Sequence, residues 1–230
     1  MIGSSYTLNQ TTFRTAGELN SAMGKVYANM GLAIITSMIV SMLVASSAGL
    51  MAFLFTGFMK WIVIFAPLVA VIGISIALNA NPPKEIALLM LHGFAALMGL
   101  SFATIFVVYN LGSIVSAFMG AAILFGVMSF YGYFTKKSLD SLGKWMFVGL
   151  ITIVIASIIN LFIGSSVAQM VISALAIVIF LGLTAWDTQR IREELSVNTN
   201  PAAEVSGALS LYLNFINIFL NLLNLFGSKE

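Results

Sequence analysis

The sequence predicts an all-α integral membrane protein with seven transmembrane helices, and three observations carry the prediction. Hydrophobic residues fill 60% of the 230 positions and charged ones only 8%, whereas soluble domains carry about a quarter charged residues. Turn and charge clusters divide the chain into seven apolar stretches, each near the roughly 20 residues that cross a bilayer as a helix. The last stretch carries Ser210, Asn214, Asn217, Asn221 and Asn224 at alternating steps of four and three among Leu, Ile, Phe, Tyr and Ala, which sets the polar side chains on one helical stripe. Amides in hydrocarbon need hydrogen-bond partners, so this stripe is expected to face the interior of a bundle or a wet cavity.

In chain order the spans are expected at Val26–Ser46, Trp61–Leu78, Ile86–Val108, Ile114–Phe134, Trp145–Ile163, Val167–Trp186 and Val205–Phe226. They leave a polar tail over residues 1–24, one transmembrane domain over 25–227 and a short tail at 228–230. The first tail shows no basic segment followed by an apolar core and a small-residue cleavage site, so no removable signal peptide is expected. Met51 to Met59 is apolar but too short to span; it either lies in the interface or lengthens a tilted second helix. Small residues recur at four-residue steps, as at Ser37, Ser41 and Ala45, at Ser116 and Gly120, and at Ala122 and Gly126. They let neighbouring backbones approach and read as bundle packing.

Charge distribution orients the chain. With the N-terminus in the cytoplasm, that side holds Arg14, Lys25, Lys84, Lys136, Lys137, Lys144, Arg190 and Arg192, and the far side only Lys60 and Lys229. By the positive-inside rule the N-terminus is expected inside and, after seven spans, the C-terminus outside. The Asn9-Gln10-Thr11 sequon then faces the cytoplasm and is without meaning. Far-side loops at Asn110 to Ser113 and Gly164 to Ser166 are short and uncharged, whereas Asn79 to Glu85, Thr135 to Lys144 and Asp187 to Glu204 are longer and richer in charge. Asn81-Pro82 and Asn200-Pro201 each read as a helix N-cap followed by proline in the first turn, with Glu85 and Glu204 near the positive helix end. Lys60 and Glu204 sit at span ends, where snorkelling and capping account for them.

Ionisable side chains inside apolar spans are costly and usually functional. His92 lies in the third span beside Gly93, Ala96 and Gly99; it is either a neutral imidazole bonded to a carbonyl or a proton sensor, because histidine changes charge near neutral pH. Asp187 closes the sixth span after Trp186, as the first solvated residue beyond the helix or as an intramembrane carboxylate. The asparagine stripe reads either as glue between helices or as the lining of a conduction route.

Enzyme chemistry is not expected. A zinc metalloprotease needs a second histidine, and a Ser-His hydrolase a serine in a sharp Gly-x-Ser-x-Gly turn. The sequence has a single histidine and no such turn. An aspartyl intramembrane protease needs two close carboxylates in the membrane, and only Asp187 qualifies. Zero cysteines exclude disulfides and thiolate metal sites. No phosphate loop or dinucleotide fingerprint stands in a usable context, so no cofactor is expected.

The run Gly182-Leu183-Thr184-Ala185-Trp186-Asp187-Thr188-Gln189-Arg190-Ile191 contains a Trp-Asp-Thr-Gln sequence near the end of the sixth span. It resembles the Tyr-Asp-Thr-Gln signature of the Bax inhibitor family, with Trp186 where tyrosine is usual. Leu209 to Phe219 is similar to that family's last helix. Lys25 to Leu32 and Tyr131 to Leu139 resemble its first helix and the loop between its fourth and fifth helices. The resemblance runs from about residue 25 to 227 and is strongest to the bacterial branch.

That resemblance implies a bundle whose polar seventh helix is central and wrapped by the other six in two layers of three. It implies a leak for calcium or other cations down their gradient, with a pH-sensitive gate in which sixth-helix and seventh-helix aspartates share a proton. Asp187 takes the first position, but Asn214 stands at the second. Two close carboxylates repel and hold one proton tightly, so such a pair titrates near physiological pH. An Asp–Asn pair lacks that repulsion, and the pH response is expected to be weakened or shifted.

The expected gate and ion pathway comprise Asp187, Asn214, Asn217, Asn221 and Ser210 in the cytoplasmic half, with His92 as the candidate proton sensor. The alternative is a non-conducting regulator that binds a membrane protease or a stress or cell-death factor through the cytoplasmic loops. Proton-coupled transport ranks behind both, because it needs more than one membrane carboxylate. The expected setting is a bacterial inner membrane; the expected partners are the bilayer, cations and another membrane protein, not nucleic acid. One tension remains. With the seventh helix starting at Val205, Asn214 lies about 14 Å deep at 1.5 Å per residue, whereas Asp187 stands at the edge. The two meet only if the sixth helix runs past Trp186 or the seventh begins nearer Ala208.

Overall fold

A computed structural model of the protein describes residues 13–228; the Asn9-Gln10-Thr11 sequon and Lys229 lie outside the described residues. The described chain runs through α1 (Ala16–Ala45), α2 (Ala48–Phe55), α3 (Met59–Asn79), α4 (Lys84–Phe102), α5 (Ile105–Val108), α6 (Leu111–Phe134), α7 (Asp140–Ile163), α8 (Ser166–Val197) and α9 (Pro201–Phe226). Seven spans are long and apolar enough to cross a membrane, α4 and α5 together making one. The chain is an all-helical integral membrane protein.

Local chemistry sets the boundaries. α1 starts inside the tail read as polar, because Thr15 and Glu18 form a capping box in which each side chain takes the other's backbone N–H. Asn110 caps α6 by accepting from Ser113 N–H at 2.8 Å. Asn200 caps α9 by accepting from Ala202 N–H at 2.8 Å, and Pro201 occupies the first turn as expected. α7 ends where Gly164 takes φ +70°, a left-handed conformation that glycine adopts without steric cost.

Asn81 does not cap α4. It has φ +53° and donates its N–H to Leu78 O at 3.0 Å, so it closes α3, and α4 starts only after Pro82 and Pro83. The third span is not continuous either. Ser101 Oγ donates to Val63 O at 2.7 Å, which ties the end of α4 to α3. The chain then turns at Ala103 and Thr104 before α5. The Met51–Met59 stretch neither lengthens α3 nor runs on as one piece: α2 is a separate helix, and Gly57 at φ +57° separates it from α3.

α9 is the most enclosed span, with 56% of its span window buried against 39% for α8 and for α4 with α5. It packs against α1, α3, α4, α6 and α8. The expectation that all six other spans wrap it needs correction at α7, which packs principally on α8 and has only 6% of its window buried. The reason is compositional. α7 is apolar around nearly its whole circumference and suits lipid, whereas α9 carries the amides that lipid cannot satisfy.

The core is bound to α9 by aromatic and hydroxyl contacts. Fully buried Tyr212 meets the edge of Phe94 at 6.0 Å and shares a 2.6 Å hydrogen bond with Ser37, whose hydroxyl also reaches Ala95 O at 2.8 Å. Phe215 takes Phe118 and Phe125 edge-on at 5.3 and 5.8 Å. Glycines permit the closest approaches. A Cβ on Gly132 would collide with the Ala185 carbonyl of α8, and one on Gly143 would enter the Trp186 ring.

Glu204 is more than a charge near a helix end. It is 4% exposed and accepts from Arg14 at 3.2 Å and Lys25 at 3.5 Å. The Arg14 N–H also bonds Ser196 O at 3.0 Å. The beginning of α1 is thereby strapped to the end of α8 and the start of α9.

Candidate functional site

One turn of α8, Asp187 to Arg190, reaches α6, α9 and a loop directly, and α1 through Ser129. The sixth helix does not stop at Trp186; it continues to Val197. Hydropathy falls beyond Trp186, but Asp187, Thr188, Ile191 and Leu195 are all buried at helical spacing, so the charged run is an amphipathic extension, not a loop. α9 begins at Pro201, earlier than Val205. The extension of α8 past Trp186 brings Asp187 to the level of Asn214 and removes the depth mismatch, whereas the alternative of a later start of α9 nearer Ala208 does not occur.

Asp187 is 7% exposed and Asn214 4%. Asn214 Nδ2 donates to Asp187 Oδ2 at 2.8 Å. The other carboxylate oxygen accepts from Arg190 Nη2 at 2.6 Å and Nε at 3.2 Å. Arg190 Nη2 also lies 3.4 Å from Ser210 Oγ, and the guanidinium rests 5.0 Å over the Trp186 ring. The carboxylate therefore has a neutral amide on one side and a cation on the other. Such charge-assisted bonds are stronger than neutral ones and cost most when left unpaired in a buried place.

The next two residues carry the turn outwards. Thr188 bonds Ser129 of α6 at 3.0 Å, and Ser129 bonds Tyr27 of α1 at 2.5 Å. Gln189 is 8% exposed; its carbonyl accepts from Leu139 N–H at 2.8 Å, and its amide donates to Lys137 O at 3.0 Å. The side chain grips the backbone of the loop between α6 and α7 at its middle and at its α7 end. Arg190, Thr188, Ser129, Tyr27 and Gln189 were not among the expected site residues. The Asp187–Arg190 spacing of three on a helix is a legible signal for the first of them; the others depend on which helices become neighbours.

The expected residues divide. Asp187, Asn214 and Ser210 converge. Asn217 and Asn221 do not reach this cluster, and their amides donate to Leu213 O and Asn217 O of their own helix, each at 2.8 Å. His92 is also elsewhere, in α4, with Nδ1 3.0 Å from the hydroxyl of Thr36 in α1. Its partner is a hydroxyl and not the expected carbonyl.

The geometry defines a seven-span membrane protein with a buried carboxylate–amide–guanidinium cluster joining its sixth and seventh spans. The family profile described as "Inhibitor of apoptosis-promoting Bax1" matches residues 19–230. The inner membrane protein YbhL of Escherichia coli strain K12 is 35% identical over 221 residues, covering 92% of this chain and 93% of that protein. An uncharacterised protein of Lactococcus lactis, YrjE, is 37% identical over 215 residues and 91% of each chain. A protein of Rickettsia prowazekii is 34% identical over 220 residues, covering 92% of this chain and 91% of its own. The chain belongs to the Bax inhibitor family.

Proposed function

We propose that this protein lets cations, calcium foremost, leak across a bacterial inner membrane, and that Asp187, Asn214 and Arg190 form its gate. The inner membrane comes by similarity to YbhL, whose name states it; the positive-inside pattern supports a cytoplasmic N-terminus and an outside C-terminus. The observation that carries the reading is the closed cluster itself. Asp187 is held by Asn214 at 2.8 Å and Arg190 at 2.6 Å, the arrangement of a latch between the two spans that carry the polar groups. A cation passing there must displace the guanidinium or separate the amide. Because Asn214 supplies no second carboxylate, protonation has less repulsion to relieve, and the leak responds weakly to pH.

The second reading, a non-conducting regulator, is favoured by the same saturation of Asp187 and by the grip of Gln189 on the lysine-bearing loop at Lys137. A partner protein seated on that loop would be coupled to the α8 turn without any ion moving. Purified protein in dye-loaded liposomes separates the two. Calcium entry above that of empty vesicles supports the leak, whereas a partner retained through gentle detergent extraction, with no entry in verified proteoliposomes, supports the regulator.

A further inference from the structure

The amide stripe of α9 behaves differently along its length. Asn214 uses its N–H group on Asp187. Farther on, Asn217 and Asn221 each donate to a carbonyl of their own helix at 2.8 Å, and Asn224 donates to Ser173 Oγ of α8 at 3.1 Å. All three amides thus turn N–H groups toward protein acceptors. No donor among the described residues reaches their Oδ1 atoms, which are oxygens of the type that hard cations such as calcium accept as ligands.

Asn224, exposed in the last turn of α9, borders an open cavity of about 490 Å³ whose lining includes Ser157, Asn160, Ser165, Ser166 and Gln169. It opens among α7, α8 and the last turn of α9, at the end of α8 away from Asp187. Asn160 Nδ2 donates to Gln169 Oε1 at 3.3 Å, and Gln169 Nε2 donates to Ser173 Oγ at 3.4 Å. Asn160 and Ser173 are buried. Beside the apolar side chains of Leu161 and Met170 the lining holds hydroxyls and amides and no ionised side chain. At about 30 Å³ per molecule the space admits on the order of ten waters.

We infer that this cavity is the outer mouth of the cation route, and that Asn224, Asn221 and Asn217 pass a hydrated divalent cation inward over about 10 Å at 1.5 Å per residue. The inference rests on the leak reading above. Uncharged oxygens can replace waters of hydration one at a time without trapping the ion, and conduction requires sites weak enough to leave.

The chain contains no cysteine, so single cysteines report cleanly. Ser157→Cys, Asn224→Cys, Asn221→Cys and Asn217→Cys are reconstituted in liposomes and exposed on both faces to a positively charged, membrane-impermeant methanethiosulfonate reagent. Val178→Cys, at a 62% exposed position of α8, serves as the lipid-facing control, and calcium entry is followed in parallel. Ser157→Cys, Asn224→Cys and Asn221→Cys should react at least tenfold faster than the control, with Asn217→Cys slower, and modification of Asn221→Cys should cut calcium entry several-fold. Reaction confined to Ser157→Cys and Asn224→Cys, which leaves the cavity a blind surface pocket, overturns the route inward. So does full modification of Asn221→Cys with calcium entry unchanged and still sensitive to Asp187→Asn; both results leave the leak standing. No calcium entry through unmodified wild-type protein, with reconstitution verified, overturns the leak reading and this inference with it.

Discussion

Asn214 Nδ2 donates to Asp187 Oδ2 at 2.8 Å, joining the seventh span to the sixth inside the protein. Arg190 occupies the other oxygen of the same carboxylate. One negative charge is thereby satisfied by one cation and one neutral amide. The latch holds by attraction alone.

Asn214→Asp changes that balance by placing two carboxylates in contact beside a single guanidinium. Where both are ionised they repel, and where they share a proton they attract. Calcium entry through this variant should rise several-fold from pH 6 to pH 8, while wild type changes little. Superimposable profiles for the two proteins count against the gate.

Arg190→Gln leaves a buried carboxylate with only an amide partner. Removing one member of a fully buried pair costs about 3–5 kcal/mol, but the Arg190 side chain is 41% exposed, so a loss of roughly 1–2 kcal/mol is expected. The variant should unfold at a lower temperature in detergent and admit more calcium per folded molecule. Unchanged entry together with unchanged stability removes Arg190 from the latch.

Glu204→Gln tests the strap between α1 and α9. Arg14, whose side chain is 10% exposed, would lose its carboxylate. A loss of about 2–3 kcal/mol follows from an unpaired buried guanidinium, read as a lower thermal midpoint and faster proteolysis before Ala16. Equal midpoints for variant and wild type would show that Glu204 acts only as an ordinary helix-end charge.

Gly132→Ala and Gly126→Ala form a matched pair on α6. A Cβ at Gly132 meets the Ala185 carbonyl, whereas one at Gly126 meets nothing within 4 Å. Overpacking against backbone costs about 1–3 kcal/mol, and exchanging glycine for alanine in an open helix position is neutral to stabilising. Thermal unfolding should therefore separate the two variants. Similar midpoints contradict the close approach of α6 to α8.

The spans and the polar stripe were legible because hydropathy and helical period are local properties. Each expected span overlaps a helix, and Asn200-Pro201 caps as the residues suggest. The site was legible only in part. Asp187 and Asn214 stand out as polar groups in apolar surroundings, yet the falling hydropathy beyond Trp186 masks a helix whose buried face Ile191 and Leu195 continue. The role of Asn81 and the partners of Glu204, which does stand in the first turn of α9, escape the sequence for another reason. Asn81 lies between two helices and could serve either; Glu204 owes its role to Arg14 and Lys25, far away in sequence. Partners of this kind become visible only when the helices are packed.

The most direct test compares calcium entry into dye-loaded proteoliposomes containing wild-type protein with entry into those containing Asp187→Asn, at matched amounts of folded protein and at pH 7. The gate as described predicts entry above empty vesicles for wild type and a several-fold change when the charge at Asp187 is removed. Entry that is identical in the two proteins, or absent from both, would contradict it.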